Sequence, residues 1–152
     1  MKILSWNCRG AGRAPTVKTI KALARYEGLD ILFLAETKVD TPRIDSINRR
    51  LGFANFFSMD CFGRAEGLAL FWKAGVDLEV VFSNNNIIAA FVYSDPPESP
   101  WLLILVYGPP YFAKRKKFWE LMENLILSFS GLWLLIEDLN STVHNSEKSG
   151  GS

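Results

Sequence analysis

Four apolar runs of this chain each end in a side chain that could take part in chemistry. The runs "ILSW", "DILFLA", "WLLILV" and "LWLLI" lead into Asn7, Glu36, Tyr107 and, after one glutamate, Asp138, with Asn140 two residues further on. Carboxylate and amide oxygens are hard ligands that suit Mg²⁺, which takes one or two carboxylates and keeps several waters. A carboxylate beside a metal can orient or deprotonate a water, while phenol and amide groups donate to phosphoryl oxygens. This set of residues predicts metal-assisted hydrolysis of a phosphodiester.

Each of these residues also has a purely structural interpretation. Asp138-Leu139-Asn140 is a common transition from strand to turn, and Glu36 before "TK" could simply begin a solvated loop. Asn7 could be a turn residue, and Tyr107 before "GPP" could be a core side chain with a hydrated hydroxyl. Their joint occurrence at the ends of four strands favours a site. No Ser–His pairing or CxxC zinc spacing competes with this hypothesis.

Two strand–helix–strand units, 2–36 and 101–138, must position these residues. Helical spacing of apolar residues follows Pro15 up to Gly28 in the first unit, and runs from 113 to 129 in the second. Strands joined by one covering helix are usually parallel, so their carboxyl ends lie at one sheet edge. The run before Asp138 is expected to be a buried strand. Alternation then puts Glu137 on the opposite face, where its charge would be buried unless partnered.

The middle of the chain has a different pattern. A short charged helix is expected from Thr41 to Leu51, ending at Gly52. Residues 53–95 then contain four strand-like runs, and the "NNN" at 84–86 favours a turn between two of them. These strands are expected to be antiparallel, so the fold class is α/β.

Composition limits the class of protein. The 152 residues suit one domain, 49% of them are hydrophobic, and the formal charge is +1. Nucleic-acid binding would therefore need a local patch, for which "KRKK" at 114–117 is a candidate, although a solvated face is an equally good interpretation. Two cysteines favour a reduced intracellular setting. No signal-peptide pattern or membrane-spanning run is present, so no membrane partner is expected.

The ordered motifs "ILSWNCRG", "DILFLAETK", "LVYGPP" and "WLLIEDLN" resemble those of the endonuclease/exonuclease/phosphatase superfamily. The chain is most similar to the apurinic-type endonuclease domain of plant LINE (non-LTR) retrotransposons, also through "GFANFFSMDCFGRAEGLALFWK" and "SEKSGG". The resemblance implies a four-layer α/β sandwich of two packed mixed sheets with outer helices. It further implies metal-dependent hydrolysis of DNA, a DNA partner bound through its phosphate backbone, and a nuclear location.

Roles follow from the resemblance by position. Glu36 is expected to be the ligand of Mg²⁺, or of Mn²⁺ in its place, and Asn7 its neighbour in the metal and phosphate site. Tyr107 would support the scissile phosphate. Asp138 would position or activate the attacking water, and Asn140 would hold that water or a phosphate oxygen.

The chain also departs from the family pattern. The family continues with a further aspartate and an aspartate–histidine pair, which His144 does not match. We therefore expect a partial domain over 1–144, incomplete at its C-terminus, followed by a polar Gly/Ser-rich tail at 145–152. Loss of strands would expose apolar surface and weaken or abolish activity. Glu66 and Glu137 stand where the family tends to have glycine.

Two other functions remain open from the sequence. The first is a non-catalytic remnant that at most binds DNA or a protein, favoured by the missing aspartate–histidine pair. The second is a phosphatase of small phosphoesters within the same superfamily. The "GLALFW" segment, which resembles retroelement sequences, argues against the phosphatase.

Overall fold

A computed structural model describes residues 1–61, 66–108 and 115–138 of the chain. Its elements in chain order are β1 Ile3–Asn7, α1 Ala14–Glu27, β2 Ile31–Ala35, α2 Thr41–Leu51, β3 Asn55–Met59, β4 Leu68–Trp72, β5 Leu78–Ser83, β6 Ile87–Val92, β7 Trp101–Tyr107, α3 Arg115–Leu127 and β8 Trp133–Asp138. Within the described ranges, none of the helices is both long enough and apolar enough to cross a membrane.

The strands form two four-stranded sheets, each of mixed direction. The first sheet has the order β1-β2-β4-β3 and the second β5-β6-β7-β8. β1 pairs with β2 in parallel, and β7 pairs with β8 in parallel, whereas the remaining neighbours are antiparallel. The prediction of two parallel strand–helix–strand units around an antiparallel middle is confirmed.

Apolar side chains pack in three layers between four layers of secondary structure. One cluster fills the space between α1, α2 and the outer face of the first sheet, with Ile20, Ile44 and Phe71 at its centre. A second joins the facing sides of the two sheets, and includes Phe33 and Leu105. A third packs α3 onto the outer face of the second sheet. The predicted α/β sandwich with outer helices is therefore confirmed.

Local sequence signals set the helix ends. Pro15 lies in the first turn of α1, where its missing N–H has no helical partner, and Gly28 ends the helix with a left-handed φ of 60°. The carboxylate of Asp40 accepts a hydrogen bond of 3.1 Å from the backbone N–H of Arg43 and so caps α2. Isolated short helices are marginal in water, so most of the stability of α1 and α2 comes from packing their apolar faces onto the first sheet.

The expectation that the strand before Asp138 is buried is wrong. β8 is the edge strand of the second sheet in the described part of the chain, and Leu132, Trp133 and Leu134 are 73%, 48% and 42% exposed. A strand that pairs on one side receives cover from only one neighbour. Glu137 is consequently exposed to solvent, so the expected cost of burying its charge does not arise.

Candidate active site

The carboxyl ends of β1, β2, β7 and β8 meet at one edge of the sandwich. The parallel registers pair Asn7 with Ala35, directly before Glu36, and Tyr107 with Asp138. β1 and β8 are the edge strands of their own sheets and lie against each other. Four of the five predicted site residues are therefore brought to one place, while Asn140 lies outside the described residues.

The side-chain amide of Asn7 connects the two carboxylates of the site. Its Nδ2 donates to Oε2 of Glu36 and, over 3.2 Å, to Oδ2 of Asp138. Its Oδ1 accepts a hydrogen bond of 3.1 Å from the backbone N–H of Arg9. A single amide group thus holds two like charges close together, and the N–H of Arg9 sets which way that amide faces. Hydrogen bonds to charged groups are the stronger ones in proteins.

Glu36 has a backbone conformation that non-glycine residues seldom adopt. Its φ is 53°, in the left-handed region, a conformation that costs about 1–3 kcal/mol and persists only where surrounding contacts enforce it. The enforcing contacts lie on both sides. The Glu36 carbonyl accepts a hydrogen bond of 2.7 Å from the N–H of Gly10, and the N–H of Thr37 donates a hydrogen bond of 3.1 Å to the carbonyl of Gly67. These bonds hold the backbone of Glu36, and the Asn7 amide holds its carboxylate.

Gly67 and Thr37 are packed too closely for any larger residue. A Cβ at Gly67 would lie 2.3 Å from Oγ1 of Thr37 and 3.2 Å from the backbone nitrogen of Lys38. Thr37 is completely buried, and its hydroxyl has no hydrogen-bond partner among the described residues. The segment after β2 and the segment before β4 therefore pack directly against each other at Thr37 and Gly67. This packing supports the backbone of Glu36, which precedes Thr37.

Lys38 lies near the site but is loosely held. Its Nζ is 3.9 Å from Oε1 of Glu36, and its side chain is 51% exposed. An ion pair of this length and exposure contributes little to stability. Lys38 instead supplies a positive charge beside a cluster of carboxylates.

Tyr107 is a buried phenol surrounded by carboxylates. Burial is the main reason that its pKa lies well above the ordinary value of 10.0, and the charge of Glu36 together with a hydrogen bond to it raises the pKa further. The negative charges of Glu66 and Asp138 act in the same direction. The hydroxyl keeps its proton well above neutral pH and donates it in a hydrogen bond to the Glu36 carboxylate.

Two residues beside Tyr107 were not predicted as part of the site. Asn86 Nδ2 donates a hydrogen bond of 2.9 Å to the backbone carbonyl of Tyr107. The backbone carbonyl of Asn86 accepts a hydrogen bond of 2.7 Å from the Tyr107 N–H. The sequence indicated Asn86 only as a turn residue. In the sequence, Glu66 was singled out only because the related family tends to have glycine at that position. Its negative charge nevertheless helps to raise the pKa of Tyr107. Neither role has a sequence signal, since both depend on how β4 and β6 are placed.

The donor set of the site fits a hard divalent cation in part. Glu36 and Asp138 supply carboxylate oxygens, and Mg²⁺ commonly uses one or two of these. The nitrogen rather than the oxygen of the Asn7 amide faces the carboxylates, so a ligand role for Asn7 requires the amide to turn over. Residues 1–61, 66–108 and 115–138 contain no group of three or more His, Cys, Asp and Glu side chains arranged to hold a metal ion.

Basic residues share a cavity with the carboxylate of Asp138. This cavity, of about 590 Å³, is lined by Asn7 and Asp138 together with Arg9 and Arg13. Three residues of the basic run at 114–117 lie in the first turn of α3, which begins at Arg115. Lys114 lies outside the described residues. His144 also lies outside the described residues. The positive charge predicted to be necessary in a nearly neutral protein is thus present locally.

A family model for the Endonuclease/Exonuclease/phosphatase family matches residues 4–131, and the chain belongs to that family. The matched segment includes Asn7, Glu36 and Tyr107 and ends before Asp138. A search of curated proteins found no match.

Solved structures share the fold at low sequence identity. An AP endonuclease from Archaeoglobus fulgidus superposes with a TM-score of 0.72 and 17% identity, covering 97% of this chain and 63% of that one. TDP2 from C. elegans superposes with a TM-score of 0.64 and 16% identity, covering 92% of this chain and 48% of that one. The endonuclease domain of TRAS1, a telomere-specific non-LTR retrotransposon, superposes with a TM-score of 0.61 and 12% identity, covering 92% of this chain and 59% of that one. The chain thus spans about half to two thirds of the structures it matches.

Proposed function

We propose that this chain hydrolyses phosphodiester bonds of DNA in a divalent-metal-dependent reaction, as an endonuclease of the retrotransposon type. The observation that carries the proposal is the joining of Glu36 and Asp138 by the Asn7 amide, next to the protonated hydroxyl of Tyr107. The fold similarity to the TRAS1 endonuclease domain and to an AP endonuclease supports a DNA substrate. Similarity to the plant LINE domain rests on the sequence motifs.

Glu36 is the proposed metal ligand, with Asn7 beside it once its amide turns over. Mg²⁺, or Mn²⁺ in its place, would supply Lewis acidity and lower the pKa of a bound water. The left-handed backbone of Glu36 sets the direction in which its side chain leaves the main chain toward the proposed metal.

The remaining residues act directly on the substrate and the water. Asp138 orients the attacking water and accepts its proton. Tyr107 is a protonated phenol and donates a hydrogen bond to a phosphoryl oxygen as negative charge develops, in place of its hydrogen bond to Glu36. Asn140 is proposed to hold the water or a phosphate oxygen. Arg9, Arg13 and the basic first turn of α3 are proposed contacts to the phosphate backbone.

A second candidate is a non-catalytic unit that binds DNA or a protein. It is favoured by the observation that the chain spans only 48% to 63% of the three structures described above. In this alternative, residues 1–144 are proposed as a partial domain and 145–152 as a tail, and the site is proposed to be weakened or inactive. A nuclear location is proposed where the partner is DNA.

Nicking of supercoiled plasmid by the purified chain tests the proposal. We expect nicking with Mg²⁺ that is lost with a chelator and in Glu36→Gln and Asp138→Asn. Glu79→Gln is the matched control, because Glu79 is an exposed carboxylate on β5, at the far edge of the second sheet. Far-UV circular dichroism shows whether each variant folds.

The outcomes separate the two candidates. Metal-dependent nicking that Glu79→Gln retains and the two site variants lose supports the endonuclease. Equal nicking by wild type and Glu36→Gln, with both proteins folded, would contradict it. Plasmid binding without nicking would instead support the non-catalytic unit.

A further inference from the structure

We infer that the outer surface of α1 is a binding groove for a single strand of nucleic acid that leaves the site. The inference rests on the proposed function and extends it to the form of the substrate. Two cavities, of about 590 and 520 Å³, lie along α1 and share Thr19 as a wall. The first is lined by Asn7 and Asp138 of the site, and the second by Tyr26 in the last turn of α1. The two cavities thus lie next to each other along α1 and meet at Thr19.

The charges along this path are suited to a phosphate backbone. Arg9 and Arg13 line the first cavity and Lys18 lines the second, whereas Asp138 is the one carboxylate among the described lining residues. Arg9 and Arg13 are both exposed, and Arg9 has a left-handed φ of 50° because its N–H is held by Oδ1 of Asn7. The backbone that orients the amide of the site therefore also positions the first cation of the groove.

The far end of the groove offers a surface for stacking. Tyr26 is 87% exposed, which is unusual for a large aromatic side chain, and it lies beside the apolar walls formed by Ala22 and Leu23. A positively charged groove with an aromatic side chain on which a base can stack is the common design of single-strand binding sites. Thr16 and Thr19 add hydroxyl groups between the two ends.

The length of the groove defines the strand that it accommodates. Arg13 and Tyr26 are 13 residues apart along one helix, which corresponds to about 20 Å at 1.5 Å per residue. That distance equals about six nucleotides at the 3.4 Å spacing of a duplex strand, and fewer if the strand is extended. A base can stack on the Tyr26 ring only when it is free of its paired strand, so the strand at this end of the groove is single.

Fluorescence anisotropy with a labelled single-stranded octanucleotide tests this inference in the presence of a chelator. Arg13→Gln should weaken binding several-fold and reduce the slope of log affinity against log salt by about 0.7, the share of one phosphate contact to a single strand. Tyr26→Ser should weaken binding by about tenfold with the slope unchanged, because stacking carries no charge. Tyr26→Phe should bind like wild type.

Arg50→Gln is the matched control, because Arg50 is an exposed arginine in the last turn of α2 and lines neither cavity. A hairpin duplex of equal length should be insensitive to Tyr26→Ser. Wild-type affinity in Tyr26→Ser, equal losses in Arg13→Gln and Arg50→Gln, or no binding by the folded wild type would each overturn the inference.

The test is independent of catalysis. Absence of nicking together with this pattern of single-strand binding would contradict the endonuclease and leave the groove intact. Nicking by the wild type together with unchanged single-strand binding by Arg13→Gln and Tyr26→Ser would contradict the groove and leave the endonuclease intact.

Discussion

Asn7 and Asp138 are 131 positions apart in the sequence, and Nδ2 of Asn7 donates a hydrogen bond of 3.2 Å to Oδ2 of Asp138. Asn7 ends β1 of the first sheet and Asp138 ends β8 of the second. The bond therefore spans the two sheets, and the candidate site exists only when they are packed face to face. Any change that shifts one sheet against the other should therefore disturb this hydrogen bond before it unfolds the protein.

The Asn7 amide should stabilise the site against repulsion between its carboxylates. Asn7→Leu removes the donor to Glu36 and Asp138, and Asn7→Asp adds a third negative charge. We expect a loss of about 1–2 kcal/mol in the free energy of unfolding for Asn7→Leu and a larger loss for Asn7→Asp. Urea denaturation measures both losses.

Salt and a control variant separate charge from packing in that experiment. Added salt should reduce the loss in Asn7→Asp because screening weakens repulsion. Asn55→Asp makes the same charge change at an exposed position on β3 and should cost little. Equal losses in Asn7→Asp and Asn55→Asp would contradict the role given to the amide.

Gly67 should tolerate no side chain because of Thr37. In Gly67→Ala the new Cβ would clash with the Thr37 hydroxyl, at a residue whose φ is +88°. Gly75→Ala is the matched control, since Gly75 has a φ of +95° with nothing within 4 Å of the added carbon. Both variants suffer backbone strain, of about 1–3 kcal/mol, and only Gly67→Ala suffers the clash.

We therefore expect chemical denaturation to show a greater loss of stability for Gly67→Ala than for Gly75→Ala. Thr37→Ala in combination with Gly67→Ala should recover part of that difference because the clashing hydroxyl is gone. Plasmid nicking should fall in Gly67→Ala, since the same contact supports Glu36. Equal stability of the two glycine variants would show that the packing at Thr37 is not limiting.

Tyr107 should make the protein less stable in alkali. The unfolded chain releases the phenol proton near the ordinary pKa of 10.0, whereas burial and the Glu36 charge raise the pKa in the folded chain, which keeps the proton. Above pH 10 the folded state binds more protons, so the free energy of unfolding falls as pH rises, by up to about 1.4 kcal/mol per pH unit for this group.

Denaturation between pH 9 and 11 measures this slope. Tyr107→Phe should flatten it, and Tyr26→Phe, which removes an exposed phenol, is the control. A slope that Tyr107→Phe leaves unchanged would contradict the raised pKa.

The exposed edge at β8 should promote self-association. Leu132 is 73% exposed next to β8, which is an edge strand among the described residues, and the backbone and apolar side chains of such an edge favour strand addition. Leu132→Lys should reduce light scattering at high protein concentration while changing the stability by no more than about 0.5 kcal/mol. Leu127→Lys, at a 74% exposed position at the end of α3, is the control and should have a smaller effect. Equal effects would implicate general hydrophobicity rather than the strand edge.

Much of the fold was predictable because its signals are local. The bounds of α2 at Thr41 and Leu51, the end of α1 at Gly28 and the parallel pairing within both strand–helix–strand units follow from caps, periodicity and connection rules. The choice of Asn7, Glu36, Tyr107 and Asp138 as candidates also came from their positions at strand ends. Their chemical roles remain proposals.

The sequence by itself determined the elements, their directions and the side chains delivered to one edge, because these depend on residue type and spacing along the chain. Only the tertiary structure decided the exposure of β8, the solvation of Glu137 and the approach of Glu66 and Asn86 to Tyr107. It also decided the left-handed backbone of Glu36, which no intrinsic preference of glutamate would predict. These features arise from contacts between segments far apart in sequence, and such contacts exist only once the two sheets have packed.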